Sequence, residues 1–166
     1  LKEKELVNSI KLFGDISDNV SKKVRDQYEK NPYPRWRYTY GSIPSNFLTI
    51  INALIRPNEI ESNDKFDNPN ILIAGCGTGR QILLAKNYLN ANILAVDLSL
   101  ASLAYAKRKT EELNLKNIEF LQADILQLVN LNKKFDVIEC AGVLHHMRDP
   151  LKGLKVLLGL LEPHGL

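Results

Sequence analysis

The sequence is short of the residues that staple a chain together or anchor it in a membrane. It has two cysteines, one tryptophan and one methionine among 166 residues. Cys76 and Cys140 sit inside apolar segments rather than in a spaced framework, which excludes a secreted disulfide scaffold and points to a reducing cytoplasm. No apolar run approaches the roughly eighteen residues that cross a bilayer, and the opening Leu-Lys-Glu-Lys-Glu lacks the apolar stretch of a signal peptide. Long blocks of like charge are missing too. The 22 basic and 19 acidic residues are scattered, with a net charge of +3. The densest basic groups, Lys107-Arg108-Lys109 and Lys133-Lys134, are short and read as solvated surface, which argues against a nucleic-acid partner. What is present, 45% apolar and 25% charged residues, suits one compact unit with a buried core.

Apolar residues at helical spacing, Leu6, Ile10 and Phe13 and then Val20, Val24 and Tyr28, predict two short helices within residues 1–30. In the next segment, Asn31-Pro32-Tyr33-Pro34-Arg35-Trp36-Arg37-Tyr38, two prolines block helix and central strand alike, so an ordered loop is expected. Residues 46–55 read as an apolar helix stopped by Pro57, and the polar stretch 58–70 reads as a linker. This divides the chain into a helical lid segment, 1–68, and a second unit, 69–166. From residue 70 onward short apolar runs alternate with helical patterns, the mark of βαβ units and a parallel sheet. Strands are expected at 71–74, 93–96, 118–121 and 135–139, with helices at 80–89, 99–113 and 150–161 and a short helical piece at 125–131. Right-handed crossovers then give an α/β, Rossmann-like sheet of strand order 3-2-1-4. Ligands bind such sheets where the order reverses, between the first and fourth strands.

The first strand runs into Ala74-Gly75-Cys76-Gly77-Thr78-Gly79-Arg80, where the backbone can turn sharply and approach a ligand without a Cβ in the way. Alone this also describes a tight strand-to-helix turn. Asp97, 18 residues after Gly79 at the end of the second strand, adds a carboxylate able to accept from both hydroxyls of a ribose. Asp97 or Ser99 also suits the cap of the following helix, and Ser99 suits it better. Ala123-Asp124-Ile125 follows the third strand, and Cys140-Ala141-Gly142-Val143-Leu144-His145-His146-Met147 follows the fourth.

In this order and spacing, residues 70–166 resemble a class I S-adenosylmethionine-dependent methyltransferase of the small-molecule or protein-modifying kind. The resemblance implies that S-adenosyl-L-methionine is the cofactor. Gly75, Cys76, Gly77 and Gly79 would hold its methionine part, Asp97 its ribose, Leu98 and Ile125 the two faces of adenine, and Asp124 the adenine amino group. Cys140 and His145 would line the crevice beside the methyl donor. No catalytic group is singled out. A sulfonium is already a strong electrophile, so proximity and desolvation can carry the transfer. No metal is expected, since adjacent histidines point apart and no third ligand stands at a usual spacing. Dinucleotide oxidoreductases share the fold, but Arg80 occupies the position of their third glycine. Nucleic-acid amino-methyltransferases place Asp or Asn and Pro-Pro-Tyr after the fourth strand, where this chain has Glu139-Cys140-Ala141-Gly142.

Residues 28–37, Tyr-Glu-Lys-Asn-Pro-Tyr-Pro-Arg-Trp-Arg, resemble a segment that precedes the methyltransferase domain in certain bacterial proteins, including rickettsial enzymes that methylate lysines of outer-membrane proteins. Equally, Tyr33, Trp36 and Tyr38 would pack a lid onto the domain, with Tyr40 lining the cleft mouth. The family carries seven strands, and the fifth to seventh are missing here, which leaves the edge of the fourth strand unpaired and implies a continuation of the parent chain or a partner that completes the sheet. Methyl transfer to a protein lysine or a small-molecule nucleophile is therefore the first expectation. A truncated, non-catalytic module that binds cofactor or scaffolds a partner is the alternative.

Overall fold

The computed structural model describes residues 2–38, 43–61, 66–85 and 88–166. Elements follow in the order α1 (Lys2–Val7), β1 (Lys11–Phe13), α2 (Asn19–Lys30), α3 (Phe47–Leu54), β2 (Asn70–Ala74), α4 (Arg80–Ala85), β3 (Asn92–Asp97), α5 (Leu100–Glu112), β4 (Ile118–Ala123), β5 (Val137–Glu139) and α6 (Pro150–Gly159), with short 3₁₀ turns at Ile125–Asn130 and Leu144–His146. Local signals account for the boundaries. Asp18 accepts the Val20 and Ser21 amides to start α2, Asn46 accepts the Thr49 amide to start α3, and Ser99 accepts the Ser102 amide to start α5. Asp149 caps α6, whose first residue is Pro150, where the missing N–H costs nothing.

The sheet is wholly parallel, in the order β1-β4-β3-β2-β5. The four expected strands occupy their expected positions, β4-β3-β2-β5. The first strand departs from expectation. Residues 11–13, expected within a helix, form an edge strand whose Lys11, Leu12 and Phe13 pair with Leu121, Gln122 and Ala123. Helix α1 ends at Val7, and the backbone is extended by the time it reaches Lys11.

Side chains alternate across the sheet, so each strand feeds two cores. Ile71, Ile73, Ile93, Ala95 and Val137 pack with Phe47, Phe66, Ile82, Tyr88 and Leu103 on one face. Leu72, Ala74, Leu94, Val96, Leu121 and Ala123 pack with Leu128, Phe135, Leu157 and Leu160 on the other. The outer edge of β5, expected to be bare, is engaged by the following segment. Leu166 donates to Asp136 O and accepts from the Ile138 amide, both at 2.9 Å, while Glu162 donates to Phe135 O at 2.9 Å. Among the described residues no helix is long and apolar enough to cross a membrane.

Candidate functional site

The carboxyl ends of β2, β3, β4 and β5 open onto one cleft of about 260 Å³. Its floor is residues 75–77 after β2, one wall is residues 96–98 and 123–125, and the opposite wall is residues 141–143 with His146 and Met147. Ser21, Val24 and Tyr28 of α2, with Tyr33 and Pro34, roof it.

The floor depends on backbone shape. The Gly75 and Cys76 amides both donate to Val96 O, at 2.8 and 2.9 Å, which turns the chain off β2. Gly75 takes φ +76, and a Cβ there would stand 2.3 Å from Val143 Cγ2, so this position admits no side chain while Val143 forms the wall. Gly79 serves packing instead. A Cβ on it would come within 2.9 Å of Ala106 Cβ, and it sets how closely α5 approaches the turn.

Asp97 faces the cleft at the end of β3, with Oδ2 accepting from the Gly77 amide at 2.8 Å and Oδ1 from the Ser99 amide at 2.9 Å. Because Ser99 Oγ supplies the α5 cap, Asp97 keeps lone pairs free for a ligand. Burial raises the Asp97 carboxyl above its ordinary value, the Ser99, Gly77 and Leu98 amides counter that, and the nearby Glu29 carboxylate adds to the rise. Glu29 itself comes from α2. It accepts from Ser99 Oγ at 2.9 Å, the Ala101 amide at 2.7 Å and the Leu100 amide at 3.2 Å, which places a carboxylate at the positive end of α5. Gln122 donates to Leu98 O at 2.8 Å and steadies the wall. Asp124 uses Oδ1 to cap the next 3₁₀ turn through the Leu126 amide, and Ile125 is buried beside it.

The roof is pinned to the floor. The Trp36 indole donates to Thr78 O at 2.9 Å, the Thr78 hydroxyl donates to Pro34 O, and the Tyr105 hydroxyl donates to Trp36 O. Trp36 also meets Tyr105 edge-on, with Lys109 Nζ 5.4 Å from the indole centroid. Of the three aromatics expected to pack the segment onto the domain, Trp36 does so, while Tyr33 and Tyr38 are 72% and 89% exposed. On the far wall the 3₁₀ turn after β5 points His146 into the cleft and leaves its neighbour outside, the two rings 4.0 Å apart.

Seven residues singled out from the sequence come together around this cleft: Gly75, Cys76, Gly77, Asp97, Leu98, Asp124 and Ile125. Three do not line it. Gly79 faces α5, and Cys140 packs against the core on the Leu72 face of the sheet. His145 is exposed, because the turn gives His146 the inward position. Burial and the Asp97 charge push the Cys76 thiol well above its ordinary value, which disfavours its thiolate. Tyr40 lies outside the described residues. The segment 28–37 was singled out as a whole, but its first residues, Tyr28 and Glu29, were given no contacts of their own, because a charged amphipathic helix carries no signal of the surface it covers.

Residues 71–165 match the family model described as a methyltransferase domain. An uncharacterized protein of Synechococcus is 30% identical over 172 residues, covering 93% of this chain and 37% of its own length. The ubiquinone biosynthesis O-methyltransferase of Coxiella burnetii is 33% identical over 119 residues, covering 71% of this chain and 49% of its own. Among solved structures, PKMT2 from Rickettsia typhi in complex with AdoHcy is similar with a TM-score of 0.54 and 31% identity, over 60% of this chain and 20% of that one. The chain thus spans about half or less of the length of each of these three proteins.

Proposed function

Since the chain belongs to the class I S-adenosylmethionine-dependent methyltransferase family, we propose that its cleft holds S-adenosyl-L-methionine and presents the methyl group to a nucleophile beside residues 141–147. The observation that carries this reading is the Asp97 carboxylate standing over the glycine turn, with Oδ2 already on the Gly77 amide and lone pairs left over. The residues present fit the cofactor. Two vicinal ribose hydroxyls are the donors that a half-buried carboxylate needs, the side-chain-free turn at Gly75 suits the amino-acid tail, and Leu98 and Ile125 offer apolar faces for a base. Asp124 would accept from the adenine amino group. When bound, the cofactor supplies an electrophilic methyl carbon on a positively charged sulfur. The chain's part is to hold that carbon in line with an acceptor and to exclude water, to which the roof of α2 and residues 33–34 contributes.

Of the segment 1–68, expected as a lid, α2 and residues 33–34 act on this reading as the lid, while β1 and the Phe47 and Phe66 side chains belong with residues 69–166 to the cofactor-binding unit. The lysine side chain of a protein is the favoured acceptor, supported by the segment at 28–37 and by similarity to the rickettsial PKMT2 structure. A small-molecule hydroxyl is the second reading, favoured by the ubiquinone biosynthesis O-methyltransferase relative. The setting proposed is the cytoplasm.

Calorimetry with S-adenosylhomocysteine and with NAD tests the cofactor. Binding of the former alone, lost in Asp97→Ala, is the expected result. Binding of NAD, or unaltered affinity in that variant, would overturn the assignment. Labelled methyl transfer to poly-L-lysine and to 3,4-dihydroxybenzoate then separates amine from hydroxyl acceptors.

A further inference from the structure

A donor gripped by Asp97 and the glycine turn leaves the acceptor's proton without a destination. A primary amine or a hydroxyl gives up a proton on the way to its methylated form, and a side chain at the reacting end of the cleft can take it. The carboxyl end of β5 lies across β2 from those of β3 and β4, so residues 141–147 form the end of the cleft away from Asp97 and Asp124. Two titratable side chains meet there from opposite sides. The Tyr28 hydroxyl of α2 stands 3.4 Å from His146 Nε2, with ring centroids 6.1 Å apart and planes at 75°. Both residues line the cleft.

We infer that His146 is the general base of methyl transfer and that Tyr28, whose hydroxyl meets its Nε2, passes the acceptor's proton on to it. This rests on the S-adenosylmethionine reading above. The acceptor's lone pair forms the bond to the methyl carbon, the carbon–sulfur bond breaks, and its electron pair stays on sulfur. The acceptor's proton goes to the Tyr28 oxygen while the Tyr28 proton moves to Nε2, so the positive charge lost by sulfur reappears on the imidazole. For an ammonium acceptor the proton leaves before attack, and for a hydroxyl during it.

Other groups in the cleft are poorly placed for this task. Cys76 keeps its proton, and Asp97 and Asp124 stand at the nucleoside end. The charged and titratable groups around His146 are Tyr28 above it, His145 against its ring, and the Arg148–Asp18 ion pair at 3.4 Å, which ties the next residues to the start of α2. Burial, and then the His145 ring, pull His146 below the ordinary histidine value, which leaves the imidazole neutral and able to accept at pH 7.

The chain has three histidines, so ¹⁵N-labelled imidazoles can be followed one by one in a pH titration by NMR. In the complex with S-adenosylmethionine the His146 midpoint is expected about one pH unit lower than with S-adenosylhomocysteine, because a sulfonium beside the ring opposes a second positive charge. Tyr28→Phe should change the ratio of the two neutral His146 tautomers, because the hydroxyl that meets Nε2 is gone. Equal His146 midpoints in the two complexes, or a tautomer ratio indifferent to Tyr28→Phe, would overturn the inference while leaving the cofactor assignment intact. Failure of either nucleoside to bind the unaltered chain would remove the cofactor assignment, and this inference with it.

Discussion

Replacing Gly75 by Ala puts a methyl group where Val143 already stands. Its Cβ would lie 2.3 Å from Val143 Cγ2 and 2.9 Å from Cγ1, at a residue whose φ is +76. The left-handed backbone costs about 1–2 kcal/mol for a residue with a Cβ, and relief of the overlap costs about 1–3 kcal/mol more. Gly142 separates the two effects. It has φ +69 but no atom within 4 Å of the place a Cβ would take, so Gly142→Ala carries the backbone cost alone. Urea unfolding of Gly75→Ala, Gly142→Ala, Val143→Ala and the Gly75→Ala/Val143→Ala pair completes the comparison. Gly75→Ala is expected to lose about 2–5 kcal/mol and Gly142→Ala about 1–2 kcal/mol. The double variant should be less destabilised than the two single losses combined, by about 1–3 kcal/mol, because Val143→Ala removes the atoms in the way. Equal losses at the two glycines, or strict additivity with Val143→Ala, would refute the account of the glycine turn as a space filled by the opposite wall.

Asp97→Asn should lower the thermal midpoint as well as abolish S-adenosylhomocysteine binding, because the new amide turns an NH2 toward one of the Gly77 and Ser99 N–H groups that donate to the two carboxylate oxygens. Differential scanning calorimetry and titration on one sample check both halves, and a higher midpoint contradicts the first. Glu139 supplies the pH test. Burial raises it against the Tyr88 hydrogen bond at 3.3 Å, and Tyr88 is pushed up to about 12 by burial and that same carboxylate. Stability conferred by the protonated acid is therefore lost as pH rises from 4.5 through the raised value, and Glu139→Gln should flatten that part of the stability–pH curve. Glu29→Gln removes a charge from the positive end of α5 and is expected to cost about 1 kcal/mol. Faster amide hydrogen exchange at Leu100 and Ala101 would register the loosened roof, and unchanged exchange would count against it.

Much of the frame could be read from residue order because parallel strands buried on both faces are continuous apolar runs, and those at 71–74 and 93–96 are bounded by turn-formers. The cofactor end of the cleft was legible for a related reason. Turn, carboxylate and Ala-Asp step each follow a strand directly, so placing the strands places them. Residues 11–13 were not legible as a strand, since three residues cannot display a period of two and Leu6, Ile10 and Phe13 mimic a helix. The choice between His145 and His146 hangs on the phase of one 3₁₀ turn, which neighbouring residues do not announce. Tyr28 and Glu29 act through docking onto elements some seventy to more than one hundred residues away in sequence, with Glu29 meeting Ser99 and Tyr28 meeting His146. No local pattern encodes such pairings.

The parallel pairing of Lys11 with Leu121 has a consequence for how the molecule comes into being. A ribosome adds roughly 5–20 residues each second, so the earliest strand waits several seconds for a neighbour that has yet to be made. Helix α2 follows that strand by a link of five residues, 14–18, and reaches forward to Ser99 and His146, so the cover of the cleft cannot close before residue 146 has been made.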